Sequence, residues 1–328
     1  MKVLVTGGAG FIGSHTVLAL QEAGHQTVVV DNLGNGHRDA VLAGEFHNVD
    51  IRNTTELAAL ISRSGVEAVI HFAAFIEAGV SVREPLRFFD NNVGGSVSLL
   101  EAMRQTGLGT LVFSSTAAIF GNPQSLPITE DAPTAPTNPY GESKLFVERL
   151  LADCEAAFGL RHVALRYFNA AGADPLARLG ERHDPETHII PLALAAALGV
   201  GPPLTLFGDD YPTPDGTCLR DYVHVTDLAA AHLCALAHLA AGGPSRAFNI
   251  GTGQGFSVRD VIAAVEAVTG RTVPLVRGSR RPGDPAALVA SNARATRELG
   301  WSPRFVELKD MVAHAFAFQQ ARRALSDL

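Results

Sequence analysis

Short apolar runs alternate with longer stretches of helical periodicity along this chain. Residues 2–6 (KVLVT) form a β-branched run, 14–23 place apolar positions at helical spacing, and 27–30 (TVVV) resume as a strand that stops on Asp31. The alternation continues with a strand over 46–51, a helix over 53–62, a strand over 66–72 and a long helix over 85–106. A strand over 110–115, a proline-rich loop and a helix over 140–158 follow. Further on, 221–240 read as a strand and a very apolar helix, and 257–270 as a helix with Ser257 as its N-cap. Strand and helix in turn predict an α/β fold with a doubly wound parallel sheet.

The first unit carries chemistry. Between strand and helix lies Gly7-Gly8-Ala9-Gly10-Phe11-Ile12-Gly13, with glycines spaced GxxGxxG. Gly7 permits the tight turn, Gly10 leaves the backbone open to a pyrophosphate, and Gly13 lets the helix sit close on the sheet. The helix start offers unpaired N–H groups to phosphates. Asp31, 18 residues after Gly13, suits the two hydroxyls of an adenosine ribose and repels a 2′-phosphate, so NAD is expected rather than NADP. Phe11, Ile12, Asn32, Asn35 and Gly36 are expected along the same cofactor. Asp50 and Ile51 close the next strand, where the acid either reaches the adenine amino group or caps the following helix. Phe72, Ala73 and Ala74 end the strand after that, small enough at 73–74 to let a ribose or pyrophosphate pass. Asn91-Asn92 interrupts an otherwise apolar helix face, which predicts an inward hydrogen bond to a bulged backbone or to the cofactor.

Ser114 and Thr116 put hydroxyls at the carboxyl end of a parallel strand, where ligands bind in such sheets. Tyr140 and Lys144 are four residues apart, on one face of the next helix. A phenol titrates too high to act as a base at neutral pH. An ammonium one turn away and a positively charged nicotinamide both favour the phenolate, so Tyr140 is the expected base. Thr116 is expected to hold or relay the sugar hydroxyl's proton, and Lys144 to bond the nicotinamide ribose.

Composition narrows the classes. The 328 residues carry a net charge of −7 with 47% apolar residues, and show no basic run, which excludes a nucleic-acid partner. Cys154, Cys218 and Cys234 are scattered without metal-ligand spacing, so reduced core thiols and no metal are expected. The chain runs directly into a strand and no apolar run reaches membrane-spanning length, so a cytoplasmic protein without a membrane partner is expected.

TGGAGFIG at the start, SST at 114–116 and YGESK at 140–144 resemble the extended short-chain dehydrogenase/reductase family. RYFNAAG at 166–172, FGDDYP at 207–212, the long segment from Asp210 to His224, and RRPGD at 280–284 are similar to its UDP-sugar 4-epimerase branch. The resemblance implies a Rossmann domain with a smaller α/β substrate-binding domain. It also implies a tightly held NAD and interconversion of UDP-glucose and UDP-galactose by transient oxidation at C4. Phe168 matches a cofactor-side position. Asn169, Arg220 and Arg281 match contacts to the diphosphate, Asp284 to the uridine ribose, and Phe207 and Ile189 to the neighbourhood of the uracil. His188 and Thr205 fall in the same substrate group. Leu288 stands at a gate position where tyrosine excludes N-acetylated sugars and a small residue admits them; leucine is intermediate. Ile76 replaces a lysine that some members place near the sugar phosphate, and Thr116 stands where some have serine.

Ala117-Ala118 lack the acid and proton donor that elimination of water needs, which argues against a dehydratase. A 4-epimerase of a UDP-pentose or UDP-uronate stays open, as does a non-catalytic NAD-binding sensor, which would have no use for Tyr140 and Lys144. The expected division is 1–169 with about 221–241 for the cofactor, and 170–220 with 242–328 for the UDP-sugar. The family also implies a homodimer through paired long helices, one of them 85–106.

Overall fold

A computed structural model describes residues 1–281 and 283–326. Its strands in chain order are β1 (Lys2–Thr6), β2 (Gln26–Asp31), β3 (Glu45–Asn48), β4 (Ala68–His71), β5 (Thr110–Thr116), β6 (Arg161–Tyr167) and β7 (Asn169–Ala171). Then come β8 (Leu204–Phe207), β9 (Leu219–Arg220), β10 (Tyr222–His224), β11 (Arg246–Ile250), β12 (Phe256–Ser257), β13 (Leu275–Gly278) and β14 (Ala287–Leu288). Seven of them make one parallel sheet in the order β11-β6-β5-β4-β1-β2-β3. The order reverses at β1, between β2 and β4, so the carboxyl ends of those strands open a crevice.

Both faces of the sheet are covered, which explains why its central strands β1, β2 and β4 are largely apolar. Val3 and Val5 enter one core with Leu20, Leu228 and Phe248, while Leu4 between them enters the other with Leu57, Leu99 and Met103. The first core is closed by the helices Phe11–Glu22 and Val225–Ala240, the second by Thr54–Ser64, Gly95–Thr106 and Pro139–Phe158. A third core gathers Ile190, Leu194, Val261, Val265, Met311 and Val312 from the helices Ile189–Ala197, Val258–Thr269 and Leu308–Ser326. In this smaller lobe, the segment leading into the first of these helices brings Glu181, His183 and His188 to the crevice. Among the described residues no helix is long and apolar enough to cross a membrane.

Several expectations change in detail. The first helix begins at Phe11, three residues before the apolar periodicity starts, because Gly10 serves as N-cap. The long helix over 85–106 is three pieces, Pro85–Phe88, a π-helical turn Phe89–Gly94 and Gly95–Thr106. Asn53, not Asp50, caps the second helix by accepting from Glu56 N at 3.2 Å. Ser257 caps its helix as expected, in a reciprocal box with Asp260. The strand at 222–224 pairs with β7 outside the main sheet. The boundary drawn at 242 falls too early: Arg246–Ile250 is hydrogen-bonded to β6 as the sheet's edge strand. Its alternation is masked by Asn249, fully buried because its side chain bonds Ile128 O at 2.9 Å. Pro282 of the RRPGD segment lies outside the described residues.

Candidate active site

The crevice is bounded first by the glycine turn. A Cβ on Gly13 would lie 2.1 Å from Gly7 O, so only glycine lets the helix Phe11–Glu22 start this close to the strand end. The first-turn N–H groups that a helix leaves unpaired therefore open beside Gly10, Phe11 and Ile12 on the cavity. Asp31, buried at the end of β2, accepts from Ala9 N at 3.0 Å and Leu33 N at 2.8 Å, which fixes its carboxylate against the turn. Burial pushes its pKa up and these two N–H groups oppose that. An apolar-walled slot with a fixed acid at one end and a bare helix start beside it fits a dinucleotide.

One cavity of about 320 Å³ collects most of the expected residues. Gly7, Gly10, Phe11, Ile12, Gly13, Asp31, Asn32, Asn35, Gly36, Ile51, Phe72, Ala73, Ala74 and Asn91 line it, as do Ser114, Thr116, Tyr140, Phe168, Asn169 and His188. Asp50 stands aside: Arg52 grips its carboxylate at 2.8 Å and holds its pKa well below the usual range. Val49, Phe75, Ile76, Tyr167, Glu181 and His183 also line the cavity and were not assigned from sequence. Glu181 and His183 carried a signal there, since Glu-x-His-x-x-Glu-x-His spans 181–188.

At the centre, Pro139–Phe158 is started by Asn138, whose side chain accepts from Gly141 N at 2.9 Å. A Cβ on Gly141 would meet Ala118 O at 2.7 Å, so glycine lets this helix approach the end of β5. That approach brings Tyr140 beside Thr116 on the cavity wall. Lys144, one turn on, is buried; its Nζ donates to Ser114 O at 2.8 Å and lies 5.0 Å from the centre of the Phe113 ring. Burial pushes Lys144 down to about 7 and Tyr140 up to about 12, the neighbouring Thr116 hydroxyl only partly offsetting the latter. The expected lowering of Tyr140 by Lys144 is thus absent from the protein alone, because the same desolvation that raises the phenol weakens the ammonium.

The π-helical turn places both asparagines. Asn91 lines the cavity, while Asn92 accepts from Phe75 N at 2.8 Å and donates to Phe75 O at 3.0 Å. The inward bond to an irregular backbone is therefore made, by Asn92.

A second group lies on the smaller lobe, outside that cavity. Arg220 pairs with Asp284 and donates to Leu219 O at 2.7 Å. The Arg281 guanidinium stacks 4.4 Å over Phe207, whose strand also carries Thr205. Ile189 opens its helix. Leu288 is the register partner of Arg220 and packs in a small apolar cluster with Ala117, Leu145 and Phe168. Asn169 joins the groups: it lines the cavity, and its N–H donates to Asp221 O at 3.0 Å, next to Arg220.

Comparison with known proteins agrees with this geometry. The model of the NAD dependent epimerase/dehydratase family matches residues 3–251. A UDP-glucose 4-epimerase from Halalkalibacterium halodurans is 50% identical over 316 residues, covering 96% of this chain and 95% of that protein. The crystal structure of UDP-glucose 4-epimerase from Brucella ovis in complex with NAD superposes with a TM-score of 0.94 at 49% identity, covering 97% and 98% of the two chains. A UDP-glucose 4-epimerase from Stenotrophomonas maltophila, with bound NAD and formylated UDP-arabinopyranose, superposes at 0.96 with 44% identity over 99% of each chain.

Proposed function

The chain belongs to the NAD dependent epimerase/dehydratase family, and from that premise we propose that it is an NAD-dependent isomerase interconverting UDP-glucose and UDP-galactose. The observation that carries the reading is Tyr140 beside Thr116 on the wall of the dinucleotide cavity, with buried Lys144 one turn on, its Nζ donating to Ser114 O. NAD, when bound, supplies a hydride acceptor and donor for the sugar's C4 and a positive ring charge beside the phenol. The residues of the glycine turn and Asp31 hold its pyrophosphate and adenosine ribose. Tyr140 takes the proton of the C4 hydroxyl and later returns one; Thr116 holds that hydroxyl in line. Lys144 anchors the floor through Ser114 O and bonds the nicotinamide ribose.

Epimerisation needs a firm grip on the nucleotide and a loose one on the hexose, so that the 4-keto sugar presents its other face. Arg220, Arg281 and Asn169 provide the grip on the diphosphate, with Asp284 at the uridine ribose and Phe207 and Ile189 by the uracil. In this division the seven-stranded sheet is the NAD domain and the smaller lobe the UDP-sugar domain. Exposed Leu86, Val97 and Phe146, on the helical segments beside the site, suit a homodimer interface.

The test is a pair of assays on one purified sample without added NAD, with UDP-galactose and UDP-GalNAc supplied separately and their 4-epimers followed by anomeric proton NMR. Conversion of UDP-galactose is expected. No conversion of either, even after NAD is added, would overturn the hexose assignment in favour of a UDP-pentose. That alternative has a specific support in the UDP-arabinopyranose held by the Stenotrophomonas relative.

A further inference from the structure

On the wall of the cavity, where Glu181, His183 and His188 line it, the segment leading into the helix Ile189–Ala197 folds four side chains onto one point. His183 Nδ1 lies 3.1 Å from Glu181 Oε1 and 3.7 Å from Glu186 Oε1. His188 Nδ1 lies 2.6 and 3.4 Å from the same two oxygens. All four atoms fall within 4.8 Å of one another. Ligands held 2.0–2.1 Å from a tetrahedral zinc stand about 3.3 Å apart, close to the middle of the observed spread.

The four groups meet as close charged partners rather than through well-aligned hydrogen bonds. The Glu181 side chain is only 7% exposed, yet its Oε1 has no hydrogen-bond partner. The Nδ1 atoms of His183 and His188 have none either, although both rings crowd that oxygen. Two protonated imidazoles could hold these carboxylates by charge alone, and a divalent cation seated between the four atoms would hold them equally while using every lone pair. Glu186 is held ready: the N–H groups of Thr187 and His188 donate to its Oε1 at 2.7 and 2.8 Å, the outer-shell support that orients a ligating carboxylate.

We propose that Glu181, His183, Glu186 and His188 form a binding site for one divalent first-row transition ion, of which Zn²⁺ suits the ligand set best. Two imidazoles with two carboxylates favour such an ion over Mg²⁺ or Ca²⁺, which prefer oxygen alone. Four protein ligands close the coordination sphere, so the ion is structural. It fixes the 181–188 segment of the smaller lobe against the cofactor cavity, where His183 meets the edge of Phe11, with ring centres 6.5 Å apart. The site does not depend on which UDP-sugar is turned over.

The experiment uses the untagged full-length enzyme, treated with chelator, equilibrated with zinc chloride, desalted and assayed for metal per chain by mass spectrometry. Glu186→Gln and His183→Gln are run in parallel, with NAD content and circular dichroism confirming their folding. His314→Gln serves as a control, since it removes a histidine of the unrelated His224–His314 pair, 3.0 Å apart. About one equivalent is expected in the parent and the control. In the two site variants uptake should weaken by at least the 10–100-fold that loss of even an outer partner costs. Cobalt chloride in place of zinc should give tetrahedral d–d bands in the parent and the control but not in the two site variants. No retained zinc in the parent, or equal retention in the site variants, would overturn the proposal and leave the four groups an ion-paired cluster.

Discussion

Asn92 donates through Nδ2 to Ser143 Oγ at 3.1 Å, across 51 residues of chain. Ser143 in turn donates to Tyr140 O at 2.7 Å, on the helical turn that carries both Tyr140 and Lys144. The π-helical turn at Phe89–Gly94 aims Asn92 there, and a regular α-turn would rotate it away. One side chain thus ties the cavity-lining backbone at Phe75 to the helix that presents Tyr140. Replacing Asn92 with Ala strands the Phe75 N–H and C=O, groups worth about 1–3 kcal/mol each when unsatisfied, while the Ser143 hydroxyl keeps its bond to Tyr140 O. We expect Asn92→Ala to lose roughly 2 kcal/mol in urea unfolding and to lower kcat. Asn92→Asp, which keeps the acceptor for Phe75 N, should fall between; equal stability of Ala and parent would show the bonds to be incidental.

Tyr140→Phe removes the proton acceptor but little volume. Turnover of UDP-galactose should fall by about 10²–10⁴-fold, the range general acid–base catalysis contributes. NAD should stay bound, because the glycine turn and Asp31 are untouched. Kinetics together with cofactor released on denaturation check both halves. A protein that used its cavity only to sense NAD would be indifferent to the change.

Much of this site was legible because its signals are local. The glycine turn, Asp31 and the i, i+4 pair Tyr140–Lys144 each act within one strand–turn–helix unit, so spacing alone places them. Asn92 was legible as an anomaly, two asparagines on an apolar helix face, but not as a π-turn, which is a hydrogen-bond register and leaves no residue signature. The edge strand Arg246–Ile250 was hidden because Asn249 fills a buried position, and only Ile128 O, over a hundred residues away, explains it. Glu181 and His183 are hard to read for a different reason: a mixed Glu/His run has no fixed ligand spacing, and its convergence depends on the turn before the helix Ile189–Ala197.

Lys144 ties the site to pH. In the unfolded chain this lysine keeps its proton to near 10.5, whereas burial releases it near 7 in the folded protein. Between those values the unfolded chain binds more protons, so this group makes stability rise with pH from about 7 to 10.5, with no slope below 7. Lys144→Met abolishes the ionisable group. In enzyme freed of cofactor, the stability difference between parent and variant should therefore shift in the parent's favour across that window and stay flat in acid. Urea midpoints at a series of pH values check it; parallel curves throughout would mean the ammonium stays charged in the folded protein.

Leu288 is the residue we propose as the sugar gate. It packs against the small apolar cluster that Phe168 also joins, and is the register partner of Arg220, so its volume would control space beside the residues proposed to meet the substrate. Shape discrimination of this kind is worth about 1–3 kcal/mol, or 10–200-fold, per methylene-sized change. Leu288→Gly should raise turnover of UDP-GlcNAc relative to UDP-glucose by at least about tenfold, and Leu288→Tyr should lower the same ratio. The ratio is the informative quantity, because truncation of a half-buried leucine also costs about 2 kcal/mol of stability and depresses both rates together. Competition between the two sugars in one tube, read by proton NMR, cancels that common loss. A ratio unchanged in both variants would place the discrimination elsewhere on the sugar's path, since no packing change at Leu288 could then be reaching the acetamido group.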